Sequence, residues 1–123
     1  MLKDSFFTIK TAENDNEGNY HFVVCLKPEH TIFKGHFPEM PVVPGVCTIQ
    51  MVKECLQSVS NEEYQILNII NCKFPGMIVP TMVKNLDIDI NVALSEEGIT
   101  MKSTVKSDEH KFLVIKATLK KEI

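Results

Sequence analysis

The sequence predicts an α+β fold in which an antiparallel sheet wraps around one long helix. Residues 5–11 and 20–26 are rich in aromatic and β-branched side chains and flank a turn cluster at 14–19, which predicts a β-hairpin. Residues 46–59 repeat apolar side chains at three- and four-residue intervals, which predicts a helix. Four further strands are predicted downstream, with a break between Pro75 and Pro80: 64–74, 86–92, 99–105 and 112–119.

Length and composition predict one ordinary globular domain over residues 1–123. The net charge of −3 disfavours a nucleic-acid partner, for which a basic face is expected. The first residues lack the apolar core of a signal peptide, and the apolar runs fall short of the roughly 18 residues of a membrane span. We therefore expect a cytoplasmic protein without membrane contact, whose four cysteines are free, mostly packed thiols. Neither a metal nor another cofactor is expected, because no ligand spacing or phosphate-binding loop is present.

The segment 28–45, ahead of the helix, is predicted to be a shaped loop. It holds four of the six prolines and two of the five glycines, together with many apolar side chains. Long ordered loops in compact domains are often functional. The helix that follows carries few polar side chains (Gln50, Lys53, Glu54 and Gln57), so we expect other structure to cover most of its surface.

The loop contains Gly35-His36-Phe37-Pro38 and then Pro41-Val42-Val43-Pro44-Gly45-Val46. This pattern resembles the active-site loop of the FabZ/FabA-like 3-hydroxyacyl-[acyl-carrier-protein] dehydratases. The resemblance spans about residues 5–120 in order of elements and residues 33–50 in motif. It implies a hotdog fold and a lyase that acts on a thioester-linked acyl chain, in fatty acid or related lipid or polyene biosynthesis. One departure is Thr81-Met82, where the family usually has Gly-Asp.

The same resemblance assigns roles within the loop. His36 is the expected base at the α-carbon of the substrate. Gly45, at the start of the helix, leaves backbone N–H groups open to the thioester oxygen, where the helix dipole favours developing negative charge. The remaining expected substrate-binding residues are Gly35, Phe37, Val43, Pro44 and Val46.

Gln50 occupies the position, fourteen residues after His36, where the family carries an acidic residue on the central helix. An amide cannot act as a general acid near neutral pH. One alternative is that Glu54, one turn further along the helix, supplies the acid; the other is that Gln50 binds the 3-hydroxyl or carbonyl group while His36 and water carry the protons. Glu54 is otherwise expected to be a solvated neighbour of Lys53 or a partner of Gln57.

Three functions remain open from the sequence. The first is a 3-hydroxyacyl thioester dehydratase; the second is a catalytically impaired acyl-binding subunit that pairs with an active homologue; the weakest is an acyl thioesterase. The resemblance also implies a homodimer or higher homo-oligomer with its active site between subunits. The implied partner is an acyl carrier protein or another acyl thioester, with Lys34 and Lys53 as candidate contacts for an acidic carrier.

Overall fold

A computed structural model describes residues 2–27, 29–30, 42–96 and 98–122. Within these ranges, six strands and one helix follow the predicted order. They are β1 (Phe7–Asn14), β2 (Asn19–Leu26), α1 (Gly45–Ser60), β3 (Tyr64–Lys73), β4 (Asn85–Ser95), β5 (Gly98–Ser107) and β6 (His110–Lys121). The predicted break is confirmed, because residues 74–84 form the connection between β3 and β4.

The strands form one antiparallel sheet in the order β1-β2-β4-β5-β6-β3. Three pairs of consecutive strands form hairpins: β1 with β2, β4 with β5, and β5 with β6. β2 also pairs with β4, and β3, which follows the helix, pairs with β6 at one edge of the sheet. The predicted α+β architecture of one sheet around one helix is therefore confirmed. Within the described part of the chain, β1 and β3 are the edge strands.

Alternation of side chains fixes which face of the sheet meets the helix. In β4, Leu86, Ile88 and Ile90 are buried, whereas Asp87 and Asp89 lie on the opposite face. Successive strand residues point to opposite faces, so a strictly alternating sequence buries one complete row. The buried row packs in the same apolar core as the helix residues Met51, Val52, Cys55 and Leu56.

The helix ends through backbone and side-chain contacts that connect it to β3. Asn61 adopts a left-handed conformation with φ of 55° and donates its N–H to the Gln57 carbonyl. The Gln57 side chain in turn accepts a 2.9 Å hydrogen bond from Tyr64 N, at the first residue of β3. A left-handed residue after the last helical turn is a common helix stop, and asparagine tolerates it.

The N-terminal segment turns before the sheet begins, so β1 starts at Phe7 and not at the predicted residue 5. Asp4 has a φ of 71° and donates its N–H to Phe7 O at 2.6 Å. Phe6 N donates to Leu2 O at 2.7 Å. This turn folds Leu2 and Lys3 back toward the helix, which matters for the site described next.

Candidate active site

The predicted site residues fall into two groups. Gly35, His36 and Phe37 lie outside the described residues. The structure describes the other predicted residues along the first turns of α1 and just ahead of it: Val43, Pro44, Gly45, Val46, Gln50 and Glu54.

The helix begins without a side-chain cap. Pro44 is the N-cap residue, with φ of −59° and ψ of 141°, and no side chain among the described residues caps the first turn by a hydrogen bond. Pro44 O accepts from Cys47 N at 2.9 Å and from Thr48 N at 3.2 Å. The N–H groups at the very start of a helix have no acceptor within it and carry partial positive charge. This end of α1 therefore presents donors suited to a carbonyl or enolate oxygen.

The aromatic ring of Phe74 lies against the start of the helix. A Cβ atom placed on Gly45 would lie 2.8 Å from Phe74 Cζ and 2.9 Å from Cε1, closer than real side chains approach. Gly45 therefore allows the ring to cover the first turn. Val43, just before it, is tied to the β3–β4 connection by a 2.8 Å hydrogen bond from its N–H to Ile78 O.

The predicted substrate-contacting valines differ in exposure. Val43 is buried in the core, whereas Val46 is 73% exposed at the first turn of the helix. Phe74 and Met77, on the connection after β3, are also exposed apolar residues. The helix start thus combines backbone donors with apolar side chains that are open to a ligand or to another subunit.

Glu54 is buried, with only 1% of its surface exposed, so the alternative of a solvated residue is wrong. Its Oε1 accepts hydrogen bonds from Leu2 N at 2.9 Å and Lys3 N at 2.8 Å. Its Oε2 accepts from Leu2 N at 2.9 Å and from Gln50 Nε2 at 2.8 Å. The expected partner Gln57 instead contacts Tyr64. The Glu54 carboxylate therefore holds the N-terminal turn and the Gln50 amide together.

Gln50 lies one helical turn closer to the helix start and is partly buried. Because a carboxylate only accepts hydrogen bonds, its contact with Glu54 requires the amide nitrogen of Gln50 to face Glu54. The structure thus brings Gln50 and Glu54 together as one hydrogen-bonded pair on the helix.

The thiols near the site are packed. The structure has all four cysteines free, and Cys47 and Cys55 are buried. Burial raises the pKa of the Cys47 thiol, so its place near a helix start does not activate it. Burial, followed by the nearby Glu54 charge, raises the pKa of Cys55 to about 12.

One groove in the described part of the chain lies away from this pair. It has a volume of about 650 Å³ and follows the polar face of the sheet, where its walls include His21, Asn91, Lys102 and Lys116. His21 is held there by a 3.2 Å contact from its Nε2 to Asp87. This groove does not include Gln50 or Glu54, so its size does not identify it as the active site.

Within the described ranges, no three histidine, cysteine or acidic side chains are grouped in a way that would hold a metal ion. No helix in the same ranges is long and apolar enough to cross a bilayer.

Comparison with known proteins identifies the family. The chain belongs to the ApeI-like dehydratase family, whose model, described as ApeI dehydratase, matches residues 11–114. It is 35% identical over 74 residues to the 3-hydroxyacyl-[acyl-carrier-protein] dehydratase FabZ of Clostridium kluyveri, covering 54% of this chain and 51% of that protein. FabZ of Clostridium acetobutylicum is 35% identical over 75 residues, covering 55% and 53%. The chain thus spans about half the length of the curated relatives it matches.

Solved structures agree on the fold. The dehydratase heterocomplex ApeI:P from Xenorhabdus doucetiae superposes with a TM-score of 0.75 at 23% identity, covering 90% of this chain and 95% of that one. An uncharacterized protein from Erwinia carotovora subsp. atroseptica superposes with a TM-score of 0.69 at 20% identity, covering 93% of each chain. The hotdog fold implied by the loop motif is confirmed.

Two contacts of the site were not predicted from sequence. The backbone N–H groups of Leu2 and Lys3 bind Glu54 from about fifty positions away, and main-chain donors leave no mark in the residue types. Phe74 lies against Gly45, although its sequence neighbourhood only weakly resembles the family strand. Neither the pairing of Glu54 with residues 2–3 nor the ring over the helix start has a local sequence signal.

Proposed function

We propose that this protein removes water from a 3-hydroxyacyl thioester, presented by an acyl carrier protein. Membership of a dehydratase family supports this proposal. The single structural observation that carries it is the helix start at Pro44 and Gly45, where no described side chain caps the first turn and which follows the His36 motif in the sequence. The helix start offers hydrogen-bond donors to a thioester oxygen, and the expected base His36 precedes the helix in the sequence.

In the proposed reaction, His36 acts as the base. His36 takes the α-proton, and the electron pair moves to the thioester oxygen, where the helix start stabilises negative charge. The enolate then re-forms its carbonyl and expels the 3-hydroxyl group, which gains a proton from the His36 imidazolium directly or through water. The products are water and a 2-enoyl thioester. In this scheme Gln50 binds the 3-hydroxyl group and transfers no proton.

Glu54 fits this scheme as a structural partner better than as the acid. Its oxygens accept from two backbone amides and from Gln50, and the residue is almost fully buried. A general acid must reach the leaving group directly or through one water. The contacts of Glu54 support an anchoring role, and its removal supplies the test.

The test compares turnover of a 3-hydroxyacyl carrier protein by the wild type and three variants. We expect His36→Ala to lose activity by about 10²-fold or more, as for a removed general base. Gln50→Glu is expected to raise activity, because it adds a proton donor beside the hydroxyl group. Glu54→Gln is expected to lower the rate by no more than about tenfold, because Glu54 contacts Gln50 and transfers no proton in this scheme. If Glu54→Gln lowers turnover as much as His36→Ala does, Glu54 is instead the acid.

A second candidate is an impaired acyl-binding subunit that pairs with an active homologue. Gln50 in the acidic position, with Glu54 occupied by the N-terminal turn, favours it. No wild-type turnover, with turnover appearing in Gln50→Glu, would support this candidate. Turnover by the isolated wild-type protein would exclude it.

We also propose that two copies associate through the β3 edge, with the sites near their interface. Among the described residues, β3 pairs with β6 on one side only, and an unpaired strand edge can pair with another chain. Leu67 and Ile70 on β3 are 56% and 51% exposed, and Phe74 follows directly after the strand. Pairing of β3 with its symmetry mate would bury these side chains and place Gly45, under Phe74, close to the second subunit. Lys53 on α1 remains a candidate contact for an acidic carrier.

A further inference from the structure

We infer that Glu54 is a positioning residue that fixes the polarity of Gln50, so that the helix presents a hydrogen-bond acceptor to the ligand. The inference rests on the proposed function for the identity of that ligand. It adds to that function a structural role for Glu54 and a ligand preference that follows from this role.

The first step is the orientation of the Gln50 amide. Gln50 Nε2 donates to Glu54 Oε2 at 2.8 Å. The amide is planar, so a nitrogen held toward Glu54 turns Oε1 to the other side of the group. No hydrogen bond to Oε1 is found within the described ranges of the chain. We take this oxygen to be the acceptor that is offered to a donor on the ligand.

The second step is what keeps Glu54 in place. Leu2 N and Lys3 N, on the N-terminal turn, donate to its carboxylate at 2.9 and 2.8 Å. A carboxylate that accepts several N–H groups is held in one rotamer, because each rotation would leave a buried donor unsatisfied. The turn of residues 2–6 thereby fixes Glu54, and Glu54 fixes Gln50.

The consequence is a preference for ligands that donate at the third acyl carbon. A 3-hydroxyl group can donate its proton to Gln50 Oε1, whereas a 3-keto oxygen can only accept. One neutral hydrogen bond corresponds to about a tenfold difference in affinity. Replacing Glu54 by glutamine introduces an amide whose oxygen satisfies Leu2 and Lys3 and whose nitrogen faces Gln50. Gln50 must then turn its own oxygen to that nitrogen, which presents N–H groups to the ligand.

The experiment measures binding of two matched, non-hydrolysable pantetheine amides that carry either a hydroxyl or a keto oxygen at C3. In the wild type, the hydroxyl ligand should bind about tenfold more tightly. In Glu54→Gln the ratio should fall by about tenfold or reverse. In the Gln50→Met background, the additional Glu54→Gln change should leave the ratio unaltered, because no amide remains to be turned.

The inference would be overturned if Glu54→Gln left the ratio of hydroxyl to keto affinity unchanged. It would also be overturned if Glu54→Gln changed this ratio equally in the wild type and in the Gln50→Met background. The side-chain amide NMR signals of Gln50 in the ligand-free protein provide a second measurement. Glu54→Gln should shift them and speed their exchange with water, and unaltered signals would overturn the inference independently. If the folded wild type binds neither ligand, the proposed function fails, whereas the NMR comparison still tests the positioning role.

Discussion

Replacement of Glu54 by leucine tests whether this carboxylate holds the N-terminal turn on the helix. Glu54 is buried and accepts from three donors, namely Leu2 N, Lys3 N and Gln50 Nε2. A buried donor without an acceptor costs about 1–3 kcal/mol. The turn is only partly buried and can move into water, and the leucine adds apolar burial. Both effects reduce the sum, so we expect a loss of about 2–4 kcal/mol in the free energy of unfolding.

The assay is urea unfolding at neutral pH, combined with amide hydrogen exchange. The exchange of Leu2 and Lys3 should accelerate more than that of the β5–β6 core, because their direct partner is removed. Glu63→Leu is the matched control: Glu63 lies just beyond the same helix with an exposed side chain, and we expect a change within about 0.5 kcal/mol. Equal stability of Glu54→Leu and Glu63→Leu, with unchanged exchange at residues 2–3, would refute the anchoring role.

Three further predictions concern the helix start, the buried thiol and the β3 edge. Gly45→Ala should displace the Phe74 ring and thereby lower the stability or the ligand affinity. In a double-mutant cycle, Phe74→Ala should relieve most of that loss, whereas additive effects of the two substitutions would contradict the contact. The pKa of Cys55 is raised to about 12, compared with 9.0 for an ordinary thiol. Because the thiol ionises first in the unfolded chain, the free energy of unfolding should fall as pH rises from 9 toward 12. Cys55→Ala should flatten this pH dependence in unfolding curves measured at alkaline pH. Leu67→Asp should shift the molecular mass measured by light scattering toward that of a monomer. Leu94→Asp is the control, because Leu94 is 80% exposed on the β4–β5 hairpin, and it should leave the mass unchanged. An equal response of both variants would argue against the β3 interface.

The order of elements could be predicted because local patterns determine it. The strict alternation of Leu86, Asp87, Ile88 and Asp89 fits only a strand with one buried face, and the structure places that strand in the sheet interior. The helix follows equally from its three- and four-residue apolar spacing and from Pro44 at its start. Boundaries were less predictable: β1 begins later because the turn at Asp4 competes with the sheet for its first residues.

The family was predictable from the loop, whereas the role of Glu54 was not. Gln50 and Glu54 are four residues apart on a helix, so their proximity follows from the sequence. Which other groups meet the carboxylate depends on the path of residues 2–6, and the backbone amides there carry no side-chain signal. The alternative that Glu54 is solvated was therefore wrong, because a distant segment covers this side chain.

The most direct test of the central claim is product analysis after the purified wild-type protein is incubated with a 3-hydroxyacyl carrier protein. Intact-mass measurement distinguishes loss of one water, release of the free acyl chain, and no change. We expect loss of water from this substrate and the reverse hydration of the matching 2-enoyl substrate, and we expect His36→Ala to abolish both reactions. Release of the acyl chain by hydrolysis, or water loss that persists in His36→Ala, would contradict it.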